Sequence, residues 1–515
     1  VEYYSSLDIA LATNTKRQAF ASILSGLLLA LCYPHADMGL LAWVALVPFF
    51  LTFPHTRMRT AVGCGYLLGF VQAVGVAYWM GIFAAHKVGA VMGVVAMVLA
   101  AAIHAPMIAL LAVVLNLVWR TRPLMRLLAA PAAWVVYERL AEIGTFGMGW
   151  GDLGYSQWRN IPILQISSLA GVFGIGFLIV FVNVALASRE RRQWIIAAVV
   201  MAAALAWGAC AARIDPRVPT LRVASIQGNV NEDVVWSIQG RPVDANYFYR
   251  TLSTFDRLLL QAARQGARFA AIPETAIPGY IQFDPELHER VEHWATESGI
   301  AILAGGRYYD ELANSDKNVV FMISPIRGDT GMYAKTKLVP FGEYLPYRKV
   351  FSFLKDLEVS ITDMGHGSLN QPPLQSGIDL PRVVVGPMIC FESTYSSFAR
   401  RQAAMGATLL SVVTDDAWFG QTAAARQHLE MSAIRAAETH RALVRSGATG
   451  ISAIFDSRGR LLRQLPLFKQ GIIVADVSIE TTITPYVRYG DLFVFVCGIV
   501  LLAELIQGMR QPARA

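Results

Sequence analysis

The chain has 515 residues, 55% of them hydrophobic and only 16% charged, with a mean hydropathy of +0.43. Soluble domains run nearer about 45–50% apolar and about 25% charged, so part of this chain is expected in a lipid bilayer. The net charge of +7 does not indicate nucleic acid, because the Lys and Arg residues of the first half fall between apolar runs and not along one face.

A membrane span takes about 20 mostly apolar residues. Eight are predicted, at 18–35, 39–54, 61–82, 88–119, 123–140, 161–187, 193–213 and 489–508. His104 and Pro106 lie in the long fourth run, where a tilt or kink is expected. The fifth run is the weakest, with Arg126 inside it and Glu138-Arg139 near its end. The first apolar run lacks a small-x-small cleavage site, so no cleavable signal peptide is expected.

Basic clusters recur at the start, at every second loop and at the end: Lys16-Arg17; Arg57 and Arg59; Arg120, Arg122 and Arg126; Arg189, Arg191 and Arg192; Arg510 and Arg514. The intervening loops, 36–38 and 83–87, hold only Lys87. By the positive-inside rule the termini are cytoplasmic and residues 214–488 lie on the outer face. The expected organisation is a seven-helix membrane domain over 1–213, an extracytoplasmic domain over 214–488, and an eighth helix with a cytoplasmic tail over 489–515.

Within 214–488 the pattern shifts to short alternating elements. Strands are predicted at Leu221–Gln227, Phe269–Pro273, Ala301–Ala304, Asn318–Ile323, Val383–Ile389 and Ala407–Val413, with helices at 246–265, 286–298 and 422–441 between them. Strands alternating with helices predict an α/β domain. Asp456-Ser-Arg-Gly reads as a turn between late strands.

The five cysteines are Cys32, Cys64, Cys210, Cys390 and Cys497. Their odd number and unpaired spacing favour neither a disulfide framework nor a metal site. Four lie in or beside apolar spans, which leaves Cys390 as the lone thiol of the polar half. An ordinary thiol, with a pKa near ~8.5, attacks poorly at neutral pH unless something removes its proton or stabilises the thiolate. Cys390 ends a β-branched run and precedes Ser393-Thr394, predicted N-caps of a helix reaching about residue 403. That helix would turn its positive end toward the thiol. Glu274 follows a strand and suits a general base, while Lys335 or Lys337 would supply a cation for an oxyanion. Those two lysines share one face of a strand, and spacing does not choose between them.

Pro-Glu274-Thr, Lys335-x-x-Leu-Val-Pro-Phe-Gly-Glu343-Tyr344 and Ile-Cys390-Phe-Glu392, in that order, resemble the Glu-Lys-Cys motifs of the nitrilase superfamily. With the apolar spans before and after, and with Gln227-Gly-Asn-Val, Gly151-Asp-Leu-Gly-Tyr-Ser-Gln157 and Asp416-Ala-Trp-Phe-Gly420, nearly the whole chain resembles the apolipoprotein N-acyltransferase family. The resemblance implies an eight-helix transmembrane bundle carrying a nitrilase-like α-β-β-α sandwich. It selects Lys335 as the oxyanion stabiliser, Glu274 as the base and Cys390 as the nucleophile. Glu343 and Glu392 enter as supporting carboxylates, and Trp236, Tyr344, Phe391 and Trp418 as pocket or gating aromatics. Phe391 stands where the family commonly has tyrosine, and Asp415 where it has asparagine.

The reaction so implied is ping-pong: a membrane phospholipid acylates Cys390, and the α-amine of a diacylglyceryl-cysteine at an apolipoprotein N-terminus takes the acyl chain. No cofactor or metal is expected, and the enzyme is expected to be a monomer in the bacterial cytoplasmic membrane. The rival readings are a tethered amidase that uses water and a non-catalytic scaffold or transporter. The greasy segment 341–362, with Phe341, Tyr344, Leu345, Phe351, Phe353 and Leu354 among Arg348, Lys349 and Lys355, is expected to admit lipid.

Overall fold

The computed structural model describes residues 14–54, 56–230, 245–347, 349, 363–416 and 419–510. The expectations for Trp236 and Trp418, and for the lipid-admitting residues Arg348, Phe351, Phe353, Leu354 and Lys355, lie outside the described residues. The chain divides into two compact units. The first holds residues up to Ala212, the segment Thr422–Gln427, and residues from Tyr489 on; the second holds Arg213–Gln421 and His428–Arg488.

In the first unit, three described helices are long and apolar enough to cross a membrane: Met58–Ala85, Ala90–Val118 and Arg191–Ala211. A fourth results if Ile161–Ala170 and Val172–Ser188, bent by 117°, form one span. This is fewer than the eight predicted. The predicted span at 161–187 breaks at Gly171, whose φ of +67° is a conformation that only glycine adopts without strain. The predicted span at 39–54 holds the shorter apolar helix Gly39–Phe50. At 1.5 Å per residue it reaches only ~18 Å, against ~30 Å of hydrocarbon. Helices also cover Thr15–Leu31, Pro123–Ala141 and Leu492–Arg510.

Helices Met58–Val88 and Ala90–Val118 pack closely because small residues line their contact. A Cβ on Gly65 would lie 2.5 Å from the Ala112 Cβ and 2.7 Å from the Ile108 carbonyl oxygen. The segment Thr422–Gln427 is fastened within the same unit. Gln427 donates to the carbonyls of Pro34 (3.3 Å) and Val76 (3.0 Å), and the Trp150 indole donates to Gln427 Oε1 (2.7 Å).

The second unit is built on two six-stranded sheets. Its strands in chain order are β1 Thr220–Gln227, β2 Phe269–Ile272, β3 Ala301–Asp310, β4 Ser315–Ser324, β5 Gly328–Ala334, β6 Leu374–Asp379, β7 Arg382–Ile389, β8 Leu409–Thr414, β9 Ala442–Gly447, β10 Ser452–Phe455, β11 Leu461–Leu465 and β12 Gly471–Ser478. The first sheet runs β12-β1-β2-β3-β4-β5 and the second β11-β10-β9-β8-β7-β6. β1, β2 and β3 are parallel, as are β7, β8 and β9.

Alternation along the strands sends one set of side chains into the layer between the sheets, where Val223, Phe269, Leu303, Val385, Leu409 and Val444 meet. The opposite face of the first sheet packs on helices Ala245–Arg264 and Pro285–Ser298. The first of these presents Phe248, Leu252, Phe255, Leu259 and Ala262 at helical spacing. Helices Ser396–Ala404 and Ala424–Thr439 serve the second sheet: the former packs on β7, and Ser432 and His428 of the latter meet Arg445 of β9. The layers are therefore α-β-β-α, and Glu274, Lys335 and Cys390 each follow the carboxyl end of a strand.

The Ser393-Thr394 cap expectation is corrected. Residues Cys390–Thr394 form a 3-10 turn, and the α-helix starts only at Ser396. The two hydroxyls bond backward, to the carbonyls of Cys390 and Phe391 (both 2.8 Å), because the tight turn leaves those carbonyls in reach.

Candidate active site

Glu274 sits two residues beyond the end of β2, in a loop pinned to β3. Gly305 N–H donates to the Pro273 carbonyl (3.2 Å), and Ile277 N–H donates to the Gly305 carbonyl (2.9 Å). A Cβ on Gly305 would lie 2.2 Å from the Pro273 oxygen and 2.6 Å from the Glu274 Cα, so only glycine admits this approach. Gly305→Ala is expected to displace Glu274 and to lower acyl transfer by about 10²-fold, the scale for a misplacement near 1 Å. A folded, fully active G305A protein would refute that placement.

Lys335 follows β5 and is almost wholly buried, 1% exposed. Its ammonium lies 3.0 Å from Glu274 Oε1 and 2.7 Å from Glu343 Oε1. Asn318 of β4 donates to the same two oxygens, at 2.7 and 3.2 Å. Glu274 Oε2 accepts from the Asp415 N–H (2.8 Å), and Glu343 Oε2 accepts from the Val339 N–H (2.8 Å). Burial pulls the Lys335 ammonium down, but the Glu274 and Glu343 carboxylates outweigh it and hold its pKa well above the usual lysine range. Lys335 is therefore a fixed cation. Lys337 turns elsewhere, its ammonium 5.2 Å from the Tyr395 ring centroid.

Cys390 takes φ +50°, a left-handed conformation unusual for a residue with a side chain. Its thiol is pushed well up, first by burial and then by the Glu274 charge; Lys335 and the Thr414 hydroxyl oppose the rise without cancelling it. The expected benefit of a helix end is overturned, since the neighbouring turn is 3-10 and the net shift is upward. At neutral pH the resting group is a thiol that needs a base. Its alkylation rate by iodoacetamide is expected to climb through pH ~8.5 and beyond. A plateau below pH ~8 would show a stabilised thiolate instead.

Glu392, fully buried, ties the lysine and cysteine segments together. Oε1 accepts from the N–H groups of Thr336 (2.6 Å) and Lys337 (3.3 Å), while Oε2 accepts from Ile389 N–H (2.8 Å) and the Tyr333 hydroxyl (3.1 Å). Burial raises its carboxyl to about 7 despite these donors.

The structure thus brings Glu274, Lys335, Glu343 and Cys390 together, with Glu392 behind them. Tyr344 faces His366 (ring centroids 5.4 Å apart), and Phe391 packs edge-on against Tyr395 (5.4 Å). Sequence reading missed Asn318, Thr414 and Gly305. The Gly305-Gly306 pair inside β3 was a usable signal of close backbone approach; nothing local marked Asn318. Asp415, the departure from asparagine, contributes its backbone N–H to Glu274. Burial pushes the carboxyl of Asp416 up, but the Arg445 charge outweighs it and holds the group well below the usual carboxylate range.

A model of the apolipoprotein N-acyltransferase N-terminal domain matches residues 25–185, and a carbon-nitrogen hydrolase model matches 222–484. A Geobacter metallireducens protein named apolipoprotein N-acyltransferase is 31% identical over 510 residues, 95% of each chain. One of the same name from Chlorobaculum tepidum is 28% identical over 552 residues, covering 98% of each chain. Among solved structures, a variant of the Nesterenkonia AN1 amidase from the nitrilase superfamily aligns with 55% of this chain and 99% of its own, at 19% identity and a TM-score of 0.39. Two family models in succession, and relatives aligned almost end to end, leave one assignment: the chain belongs to the apolipoprotein N-acyltransferase family, and it is an acyltransferase with a carbon-nitrogen hydrolase domain.

Proposed function

We propose that the enzyme moves an acyl chain from a membrane phospholipid to the α-amine of a diacylglyceryl-cysteine at an apolipoprotein N-terminus, through a thioester on Cys390. The observation that carries this reading is Lys335, buried between Glu274 and Glu343 beside the elevated thiol of Cys390.

Glu274 takes the thiol proton as sulfur attacks the ester carbonyl, and the oxyanion forms against the Lys335 ammonium. Collapse breaks the C–O bond, Glu274 returns the proton to the leaving oxygen, and a lysophospholipid departs. The acceptor amine then attacks the thioester, Glu274 takes its proton and passes it to the sulfur as the C–S bond breaks, and the amide and the free thiol form. Both half-reactions balance without an added cofactor, since the amide is more stable than the thioester. Glu343 orients Lys335, and Glu392 fixes the backbone that follows Lys335 and the backbone just before Cys390.

The lipid substrates fit a multi-pass protein of the bacterial cytoplasmic membrane with eight spans, acting as a monomer, with residues 214–488 on the outer face. The alternating basic clusters support that orientation. Protease added to intact spheroplasts is expected to cut within 214–488; protection there, with cleavage in inverted vesicles, would reverse it. The reaction itself is tested by intact-mass analysis of the enzyme mixed with phospholipid, followed by a diacylglyceryl-cysteine peptide. An acyl adduct on Cys390 that passes to the peptide amine supports the proposal. An adduct lost only to water would make the enzyme an amidase-like hydrolase.

A further inference from the structure

His428 stands on helix Ala424–Thr439 and is 1% exposed. Its Nε2 lies 3.1 Å from the Cys390 carbonyl oxygen and 2.7 Å from Ser393 Oγ, and the Ser393 hydroxyl donates to that same carbonyl at 2.8 Å. On the other side of the ring, Nδ1 lies 3.0 Å from a terminal nitrogen of Arg445 and 3.1 Å from Asp416 Oδ1. That Arg445 nitrogen also reaches Asp416 Oδ2 at 2.8 Å, and the Thr414 hydroxyl donates to Asp416 Oδ1 at 3.0 Å. Ser393, Thr414, Asp416 and Arg445 are all fully buried.

The protons in this cluster can be assigned. The Cys390 carbonyl only accepts, so the ring proton sits on Nε2, and Nδ1 accepts from Arg445, which Asp416 Oδ2 holds in place. Burial and the Arg445 charge keep the ring neutral against the pull of Asp416. Nε2–H then points at the Ser393 oxygen and the Cys390 carbonyl, and the carbonyl receives donors from both groups. None of these residues carries a role in the acyl-transfer steps above.

We infer that His428 is a positioning residue for the nucleophile: oriented by Arg445, which Asp416 holds in place, it fixes the Cys390 carbonyl and thereby holds the strained left-handed backbone that aims the thiol at Glu274 and Lys335. A side-chain-bearing residue at φ +50° persists only where its surroundings over-determine it. The two donors on one carbonyl supply that constraint. The inference rests on Cys390 as the nucleophile and adds to it what keeps the nucleophile in place.

Two amide substitutions separate this role from ordinary packing. Glutamine carries its amide nitrogen to about the level of Nε2, whereas asparagine ends near Nδ1 and gives up the carbonyl contact. In full-length enzyme, His428→Gln is expected to lose no more than about threefold. His428→Asn is expected to lose about 10–10²-fold in kcat and in the rate of Cys390 alkylation by iodoacetamide, with the phospholipid KM unchanged, as for a misplaced reacting group. Equal behaviour of the two variants, or a loss confined to KM, overturns the inference. Should His428→Asn fail to accumulate folded, Ser393→Ala removes the second donor to the same carbonyl and is expected to slow alkylation at unchanged KM; unaltered alkylation overturns it. Alkylation reads the thiol without any lipid, so this inference can fail while the thioester reading stands. Loss of the thioester reading would show separately, as acyl transfer surviving Cys390→Ala.

Discussion

Cys390→Ala is expected to abolish both the acyl-enzyme and product formation, with a fall in kcat on the order of 10⁴-fold or more, the scale for deletion of a covalent nucleophile. Cys390→Ser is expected to fare little better. A hydroxyl is far harder to ionise than a thiol, and the site already raises the pKa of the group it holds. The other cysteines give the control: Cys32, Cys64 and Cys497 are buried and Cys210 is exposed on helix Arg191–Ala211. Replacing all four together is expected to keep activity and to leave one thiol for mass analysis. Acyl transfer persisting in the Cys390→Ala protein would remove the thioester mechanism altogether.

The second large effect is expected at Lys335. Loss of an oxyanion donor alone costs about 10²–10³ in rate. Here the same side chain also neutralises two carboxylates, and without it Glu274 and Glu343 would share only the Asn318 amide. Two like charges so close favour taking up a proton, and a protonated Glu274 is no base. Lys335→Met is therefore expected to lose more than 10³ in both half-reactions, at the upper end of that scale or beyond. It should also lose about 3–5 kcal/mol of stability, the usual result of breaking a buried ion pair from one side. Adding Glu343→Gln to Lys335→Met is expected to restore part of the melting temperature and none of the rate. Lys337→Met, at a half-buried lysine directed to Tyr395, is expected to change either quantity little. If Lys337→Met proved the more damaging change, the assignment of the oxyanion cation would be wrong.

The sequence was readable where one side chain's environment is local. Runs such as Phe269–Ile272 and Val383–Ile389 are buried along nearly their whole length and announce themselves as strands. β11 does not, because Leu461–Leu465 is largely solvated and carries Arg463. β9 hides for the opposite reason: Arg445 lies at its centre, fully buried, and a cation there reads as surface until Asp416 and His428 are known to meet it. The same limit applied to the site. Glu274, Lys335 and Cys390 each end a strand and were legible as candidates. Asn318 acquires its meaning only from carboxylates 44 and 25 residues away. Ser393 and Thr394 misled because hydroxyls suited to cap a helix suit a 3-10 turn equally well.

The pairing of β1 with β12, in register from Thr220 with Ser478 to Gln227 with Gly471, has a consequence for biosynthesis. β1 is the first strand of its unit to be made and β12 the last. Until β12 arrives, β1 offers on that side a row of unpaired N–H and carbonyl groups, the template on which stray chains add. Pairing across so much intervening chain is also slow. A ribosome that stops before Gly471 leaves this edge open, so truncated chains are expected to aggregate or be degraded and not to accumulate as partly active enzyme. Completion of translation thus serves as the quality-control step.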